Sequence, residues 1–463
     1  MASITKRGNS YTVRYYYQND QGEMMPGWET FSSEKEAKER KQRIEIDLRE
    51  GTFLIPTDIT VRELLEKWMP IQSAKHKWTP KTYQSTEGNI NNLICPYIGN
   101  LVVQKIKPYH IEQFFTTLAK TPCGQYKLGV KKELTPKQEK RLLSGTTLHE
   151  VYSLLRTAFT YAVKWEIIRK SPVLEDAPAK TTEEREIWNA EEAMAALNTI
   201  SDPLLHLAVH LCFIGSLREG ELVGITPEDL DFEGANGQGT ISINKALQRA
   251  DKNAMEKTDP RCIVKVFPDK REGSKSSLIL KKTKNKTSKR TIFMTEPLKA
   301  ELKTWLTRLK EDEAREGQRY QNSGMLFRLP TGLAVEGTLI RKWFEKWRDE
   351  NPEFEKIVFH AIRHSSATYQ LEISDGDIKA VQGNTGHAKA DVLVNTYAHI
   401  QTRSRQELAH KMEQDFYGHS AAVDEAGVPM LPAGVSITTD AILEAIQGAD
   451  PEAKQKLVHA LFA

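Results

Sequence analysis

Apolar positions along the chain follow two periods, and the period changes at a few definite places. Ser10 to Tyr17 (SYTVRYYY) is dense in aromatic and β-branched residues and predicts a strand. A turn-like NDQGE follows, and GWETF predicts a second strand. The segment SSEKEAKERKQRIEIDLREG then predicts a helix, with Ser32 or Ser33 as N-cap, acidic residues in its first turn and Gly51 as its stop. From about residue 58 to 180 the spacing is helical throughout. Residues 59–69 (ITVRELLEKWM), 111–118 and 148–165 (LHEVYSLLRTAFTYAVKW) each set apolar side chains three and four apart. Between the last two, KTPCGQYKLGVKKELTPKQEKRLLSGTT is polar and basic, which predicts a long loop or an added helix. Trp78, Tyr83 and Trp165 fall where core aromatics belong, rather than base-stacking platforms.

Residues 175–190 (EDAPAKTTEEREIWN) are charged, poor in apolar side chains and contain proline, the pattern of a linker. Beyond it, helices give way to strand-like TISIN, CIVKVF and LIL, and helical spacing returns from Leu298, a mixed α+β pattern. HSAAVDEAGVPMLPAGVS reads as a flexible connector, and TDAILEAIQGADPEAKQKLVHALF as one or two amphipathic helices. The expected architecture is multidomain. A small β-sheet-plus-helix unit occupies 1–55, an all-α unit 56–178, an α+β (mainly α) unit 179–416, and a tail 417–463.

Length supports this division, since 463 residues exceed one ordinary domain. The net charge of +3, from 65 Lys+Arg against 62 Asp+Glu, decides little, so any basic surface must come from arrangement. Lys6, Arg7 and Arg14 are such an arrangement, with no acid before Asp20; a solvated face and a phosphate-contacting one fit it equally. Cys95, Cys123, Cys212 and Cys262 are far apart, which argues against a disulfide framework or a cysteine zinc site and suits a reducing cytosol. No stretch approaches the roughly 18 apolar residues of a membrane span. A cytoplasmic protein without a membrane partner is expected.

The chemistry concentrates in the α+β unit. HAIRH sets His360, Arg363 and His364 within one helical turn, with His360 and Arg363 on a shared face. NTGH supplies His387 after Gly386, and NTYAH supplies Tyr397 ten residues later. Upstream, GSLREGEL places Arg218 after the apolar helix LLHLAVHLCFIG, and residues 275–290 (KSSLILKKTKNKTSKR) hold seven cations and no acid. Arginine forks can grip a phosphodiester, and histidines add hydrogen bonds that follow the transition state. A lysine can protonate a leaving oxygen and a tyrosine can attack to form a covalent intermediate. Taken singly, each piece fits a surface pair, a core tyrosine or a solvated loop; order and spacing join them.

In that order, Arg218 in LREGEL, His360 and Arg363 as H-x-x-R, Gly386–His387 and Tyr397 in TYAH resemble the boxes of the tyrosine recombinase (phage integrase) family. KTSKRTIF is similar to that family's β-hairpin segment, and the units at 56–178 and 1–55 to its core-site-binding and arm-binding domains. The resemblance implies that Tyr397 attacks the scissile phosphate, leaving a 3′-phosphotyrosine and a free 5′-hydroxyl. Arg218, Arg363, His360 and His387 would bind and activate that phosphate, and Lys284 would be the general acid. Glu221 would orient its neighbours. The covalent bond conserves the phosphodiester energy, so neither ATP nor a metal cofactor is implied. Implied partners are double-stranded DNA attachment sites of core and arm type, three further copies in a homotetramer, and an excisionase or DNA-bending accessory protein. The tail 417–463 would pack on a neighbouring protomer or on its own domain.

The sequence departs from the family pattern at Ser216, often glycine, and Phe293, often proline. The span from Glu233 to Leu280 is longer than a compact hairpin needs and holds an insertion. Lys282 and Lys286 stand close enough to Lys284 to compete for the proton-donor role. Two other functions compete with integration. One is a type IB topoisomerase-like or resolvase enzyme, the other a DNA-binding module with an inactive site, which the complete residue set disfavours.

Overall fold

The computed structural model describes residues 2–19, 21–127, 129–180, 186–234, 237–269, 271–283, 288–386 and 409–412. Residues 2–369 with 383–386 form one compact unit, and 370–382 with 409–412 a second. Inside the first, apolar side chains gather in three separate clusters. The tail at 417–463 lies outside the described residues.

The N-terminal cluster sits between a sheet and one helix. Strands β1 (Ser3–Arg7), β2 (Ser10–Gln18) and β3 (Met24–Phe31) pair antiparallel in that order, with Arg14 opposite both Ser3 and Trp28. Period-two alternation buries Val13 and Tyr15 and exposes Arg14 and Tyr16. Helix α1 (Glu34–Glu50) starts after Ser33 and stops where Gly51 turns left-handed (φ 68°). It covers the buried face with Ala37 and Ile44. Gly27 is obligatory for packing, because a Cβ there would lie 2.4 Å from the Tyr15 ring. The Tyr15 hydroxyl donates to Glu29 (3.1 Å), whose carboxylate takes both arms of Arg40 at 2.8 Å.

The second cluster is helical. Helix α2 (Val61–His76) begins with a capping box between Thr60 and Glu63. Helix α3 (Pro80–Asn89) continues through a π-turn (Ile90–Ile94) into the short α4 (Cys95–Ile98) and, after a connection, α5 (Pro108–Ala119). The polar basic stretch that follows forms a two-stranded ribbon, β4 (Tyr126–Lys127) with β5 (Val130–Lys131), and one helical turn, α6 (Pro136–Glu139). Helix α7 (Gly145–Lys164) closes the bundle. Asp47 of α1 pairs with Arg169, fastening the first cluster to the second.

The third and largest cluster packs helices against small antiparallel sheets. Helices α8 (Ala190–Thr199), α9 (Pro203–Gly215) and α10 (Glu219–Leu222) lead into β6 (Leu230–Asp231), β7 (Thr240–Ile243) and β8 (Lys245–Asp251). Then come α11 (Lys252–Glu256), β9 (Ile263–Val266), β10 (Ser276–Lys282) and β11 (Arg290–Phe293). Helices α12 (Glu296–Glu316), α13 (Gly337–Glu350), α14 (Phe359–Ile373) and α15 (Ile378–Thr385) complete the described fold.

Three features differ from expectation. Trp188, placed in the linker, is only 1% exposed. Its indole N–H donates to the Glu355 carbonyl (3.0 Å) and its backbone N–H to Ser365 Oγ (2.9 Å), so the large ring is drawn into the third cluster with its polar atoms satisfied. The insertion within 233–280 has a defined contact, since Ala254 of α11 joins the helical bundle's cluster. Lys257 sits 5.7 Å from the Tyr83 ring and 3.9 Å from Glu87. Finally, the strands flanking the lysine run are not partners: β10 pairs with β8, and β11 with β7. Lys282 faces Lys245 and Arg290 faces Ile243, so β10 and β11 each extend a neighbouring strand instead of pairing with one another.

Candidate active site

The site begins where α9 ends. Ser216 adopts a left-handed backbone (φ 48°, ψ 45°), which turns the chain sharply at the helix C-terminus. Glycine takes that conformation without strain. Ser216 is held there by two bonds. Its Oγ donates to the Arg363 carbonyl (3.1 Å), and its own carbonyl accepts from Arg363 Nη1. Two residues on, Arg218 caps α10 in an extended conformation, and its backbone N–H donates to Glu221 Oε2 (3.1 Å).

Three arginines converge on the end of α15. Arg290 Nε donates to the Asn384 carbonyl (2.7 Å), Arg363 Nη2 to that of Thr385 (2.8 Å), and Arg218 Nη2 to that of Gly386 (3.2 Å). These consecutive carbonyls lie at a helix C-terminus, where they lack intrahelical partners and carry the negative end of the helix dipole. Gly386 (φ 67°) makes the left-handed turn that ends the helix. The chain segment leading to His387 is thereby fixed against Arg218, Arg290 and Arg363.

One acid serves this cluster. Glu221 accepts from Arg218 Nη1 at 2.8 Å and from Arg290 Nη2 at 3.0 Å. Burial works to raise its pKa, but the charges and hydrogen bonds of Arg290 and Arg218 outweigh this and leave it below the ordinary carboxylate value. Arg363 is 1% exposed. Burial, with Arg218 adding repulsion, pulls its pKa down to about 9, so it stays charged at neutral pH. Three guanidinium charges against one carboxylate leave a surplus of two positive charges. Arg218, with its side chain 39% exposed, is the member within reach of an arriving anion.

Of the residues singled out by sequence, Arg218 and Arg363 come together with Glu221. His360 lies exposed in the first turn of α14, with its ring 5.2 Å from that of His364 at 84°. Lys282 is exposed at the end of β10, and the next residue's N–H, that of Thr283, donates to the Asn244 carbonyl (3.0 Å). Lys284, Lys286, His387 and Tyr397 lie outside the described residues. Arg290 was missed as a functional residue. It stands in the KTSKRTIF segment, but only its burial reveals it as the brace between Glu221 and α15.

Fold and arginine cluster together define a helix-rich enzyme unit built to receive an oxyanion. Two descriptions of known families match the chain: "Phage integrase, N-terminal SAM-like domain" over residues 60–119 and "Phage integrase family" over residues 186–404. The chain belongs to the tyrosine recombinase (phage integrase) family, and it is a tyrosine-type site-specific recombinase. A relative described as "Tyrosine recombinase XerC-like", from Caldanaerobacter subterraneus subsp. tengcongensis, is 24% identical over 380 residues, covering 80% of this chain and 86% of the relative. Two solved structures share the fold. The Tn1549 transposon integrase with circular-intermediate DNA gives a TM-score of 0.53 at 18% identity, over 76% of this chain and 99% of that one. The same integrase with transposon right-end DNA gives 0.52 at 19%, over 77% and 99%. Among the described residues no helix is long and apolar enough to cross a membrane.

Proposed function

We propose that this recombinase integrates or excises a mobile element in a bacterial cytoplasm, cutting DNA with Tyr397 at a phosphate held by Arg218 and Arg363. The observation that carries this reading is the cluster of Arg218, Arg290 and Arg363 on three successive carbonyls of α15, with Glu221 as its acid. A buried, preorganised surplus of positive charge costs stability in the free protein and is relieved by a bound phosphodiester. Arg218 supplies the accessible fork, while Arg363 acts from beneath through its field and by bracing Ser216. His360 and His387 donate to the non-bridging oxygens. Lys284, with Lys282 and Lys286 as its neighbours in sequence, protonates the departing 5′-oxygen. Tyr397 keeps the 3′-phosphate until the partner strand's 5′-hydroxyl displaces it.

The other units fit binding to attachment sites. The groove between α3 and α7 is lined by Lys81, Thr82, Ser85, Asn89, His149 and Ser153, side chains that suit base edges and phosphates. It supports reading 56–178 as the core-site unit, with 179–416 as the catalytic one. Lys6, Arg7 and Arg14 are exposed on the N-terminal sheet, Arg14 directly opposite the exposed Trp28, which supports reading 1–55 as the arm-site unit. Four protomers act on two sites, the tail at 417–463 contacts a neighbour, and an accessory protein sets direction. The test is a nicked suicide substrate carrying the element's core site, resolved on a denaturing gel. Wild type should form a covalent adduct, and Tyr397→Phe should form none. No wild-type adduct, or an equal one from the variant, overturns the assignment.

A further inference from the structure

On α9 and α12, away from the arginines, three side chains converge that the recombination chemistry does not use. His206 and His210 stand one turn apart on α9, and Glu301 faces them from α12. The Nδ1 atoms lie 2.7 Å and 2.6 Å from the two oxygens of the Glu301 carboxylate. All three ligand atoms fall within 4.8 Å of one another. The side chains are 32%, 13% and 22% exposed, buried enough to be fixed and open enough for an ion to enter.

We infer that His206, His210 and Glu301 form a divalent transition-metal site, best suited to Zn2+, that staples α9 to α12. Two imidazoles at i and i+4 with one carboxylate from a second element are a three-ligand zinc set, leaving a fourth position for water. Bonds of about 2.0–2.2 Å in tetrahedral geometry put ligand atoms about 3.4 Å apart. The present separations, from 2.6 Å to at most 4.8 Å, bracket that value, so small rotamer changes suffice. Metal binding replaces two Nδ1–H···O bonds with two Nδ1–metal bonds, and each neutral ring keeps its proton by carrying it on Nε2. Soft or charge-dense alternatives fit less well, since there is no thiolate for Cu(I) and too few oxygens for Ca2+ or Mg2+.

The site is structural rather than catalytic. Six residues separate His210 from Ser216, about 9 Å of helix. Pinning α9 to α12 there would steady the helix whose end holds Ser216 and launches Arg218.

The full chain, stripped with chelator, is titrated with Co2+ and then Zn2+. Wild type should take up one equivalent of Co2+ with the ligand-field bands of a four- or five-coordinate site, and Zn2+ should erase them. His206→Asn/His210→Asn should lose the bands and bind Zn2+ at least about tenfold more weakly. Glu301→Gln, which keeps the fold's shape, should do the same. Absence of the bands in wild type, or bands of equal strength in the variants, overturns the proposal.

Discussion

Removing the charge of Glu221 should loosen the active site, and the structure fixes by how much. Glu221→Gln keeps the side chain's shape but leaves Arg290 without its counter-ion. The Arg290 and Glu221 side chains are 4% and 5% exposed, so this is a buried pair. Breaking such a pair by removing one partner costs about 3–5 kcal/mol, because the remaining charge stays buried. The Arg218 arm, 39% exposed, adds at most about 1 kcal/mol. Arg290 keeps its bond to the Asn384 carbonyl, which favours the lower end, about 3 kcal/mol. Amide exchange in the full chain, localised by mass spectrometry, reads this cost directly. Amides of α10 and β11 should exchange about 150-fold faster in Glu221→Gln. Glu221→Leu/Arg290→Met should cost at least about 2 kcal/mol less than the sum of its single changes, since it leaves no orphaned charge at position 290. Because the folded-state pKa of Glu221 is lowered, its contribution is complete above its unfolded value of about 4.3 and fades as pH falls below that. Acceleration under about fivefold, or strict additivity, would refute the reasoning.

Three further outcomes follow from the packing. Tyr15 is pushed up to about 12 by burial and by Glu29 beside it, so alkaline titration of tyrosinate absorbance should show it among the late groups. Glu29→Gln should bring it down; the stability Tyr15 contributes is present below its unfolded value of about 10 and lost as pH rises toward 12. Trp188→Ala should destabilise the third cluster by about 3–5 kcal/mol, visible as faster exchange in α14. Gly224→Ala should cost about 1–3 kcal/mol in local exchange at α10 and β8, because its Cβ would stand 2.8 Å from Ala246 Cα and 2.9 Å from the Gly220 carbonyl.

Elements governed by local chemistry were readable in the chain. The helix closed by Gly51, the Thr60 start of α2 and the apolar stripe of α7 owe their form to residues within a few positions. The pairing of Arg218 with Arg363 came from order and spacing, which preserve a site assembled across long separations. What escaped depends on distant partners. Strand β1 carries too little apolar pattern to stand out and exists because β2 accepts it. Trp188 sits in a polar stretch, and only Glu355 and Ser365 explain its burial. The lysine run looks like a hairpin tip, but its flanking strands β10 and β11 pair with β8 and β7 and not with each other, which only the distant partners decide. His206 and His210 read only as part of the apolar helix LLHLAVHLCFIG, because Glu301, some 90 residues on, is what gives them meaning.

The central claim is that the cation cluster serves a phosphodiester bound covalently to Tyr397. Adduct trapped on the suicide substrate can be digested with trypsin and nuclease, and the surviving nucleopeptide sequenced by mass spectrometry. The surviving nucleotide should be a 3′-phosphate on Tyr397. A nucleotide on any other side chain would contradict it.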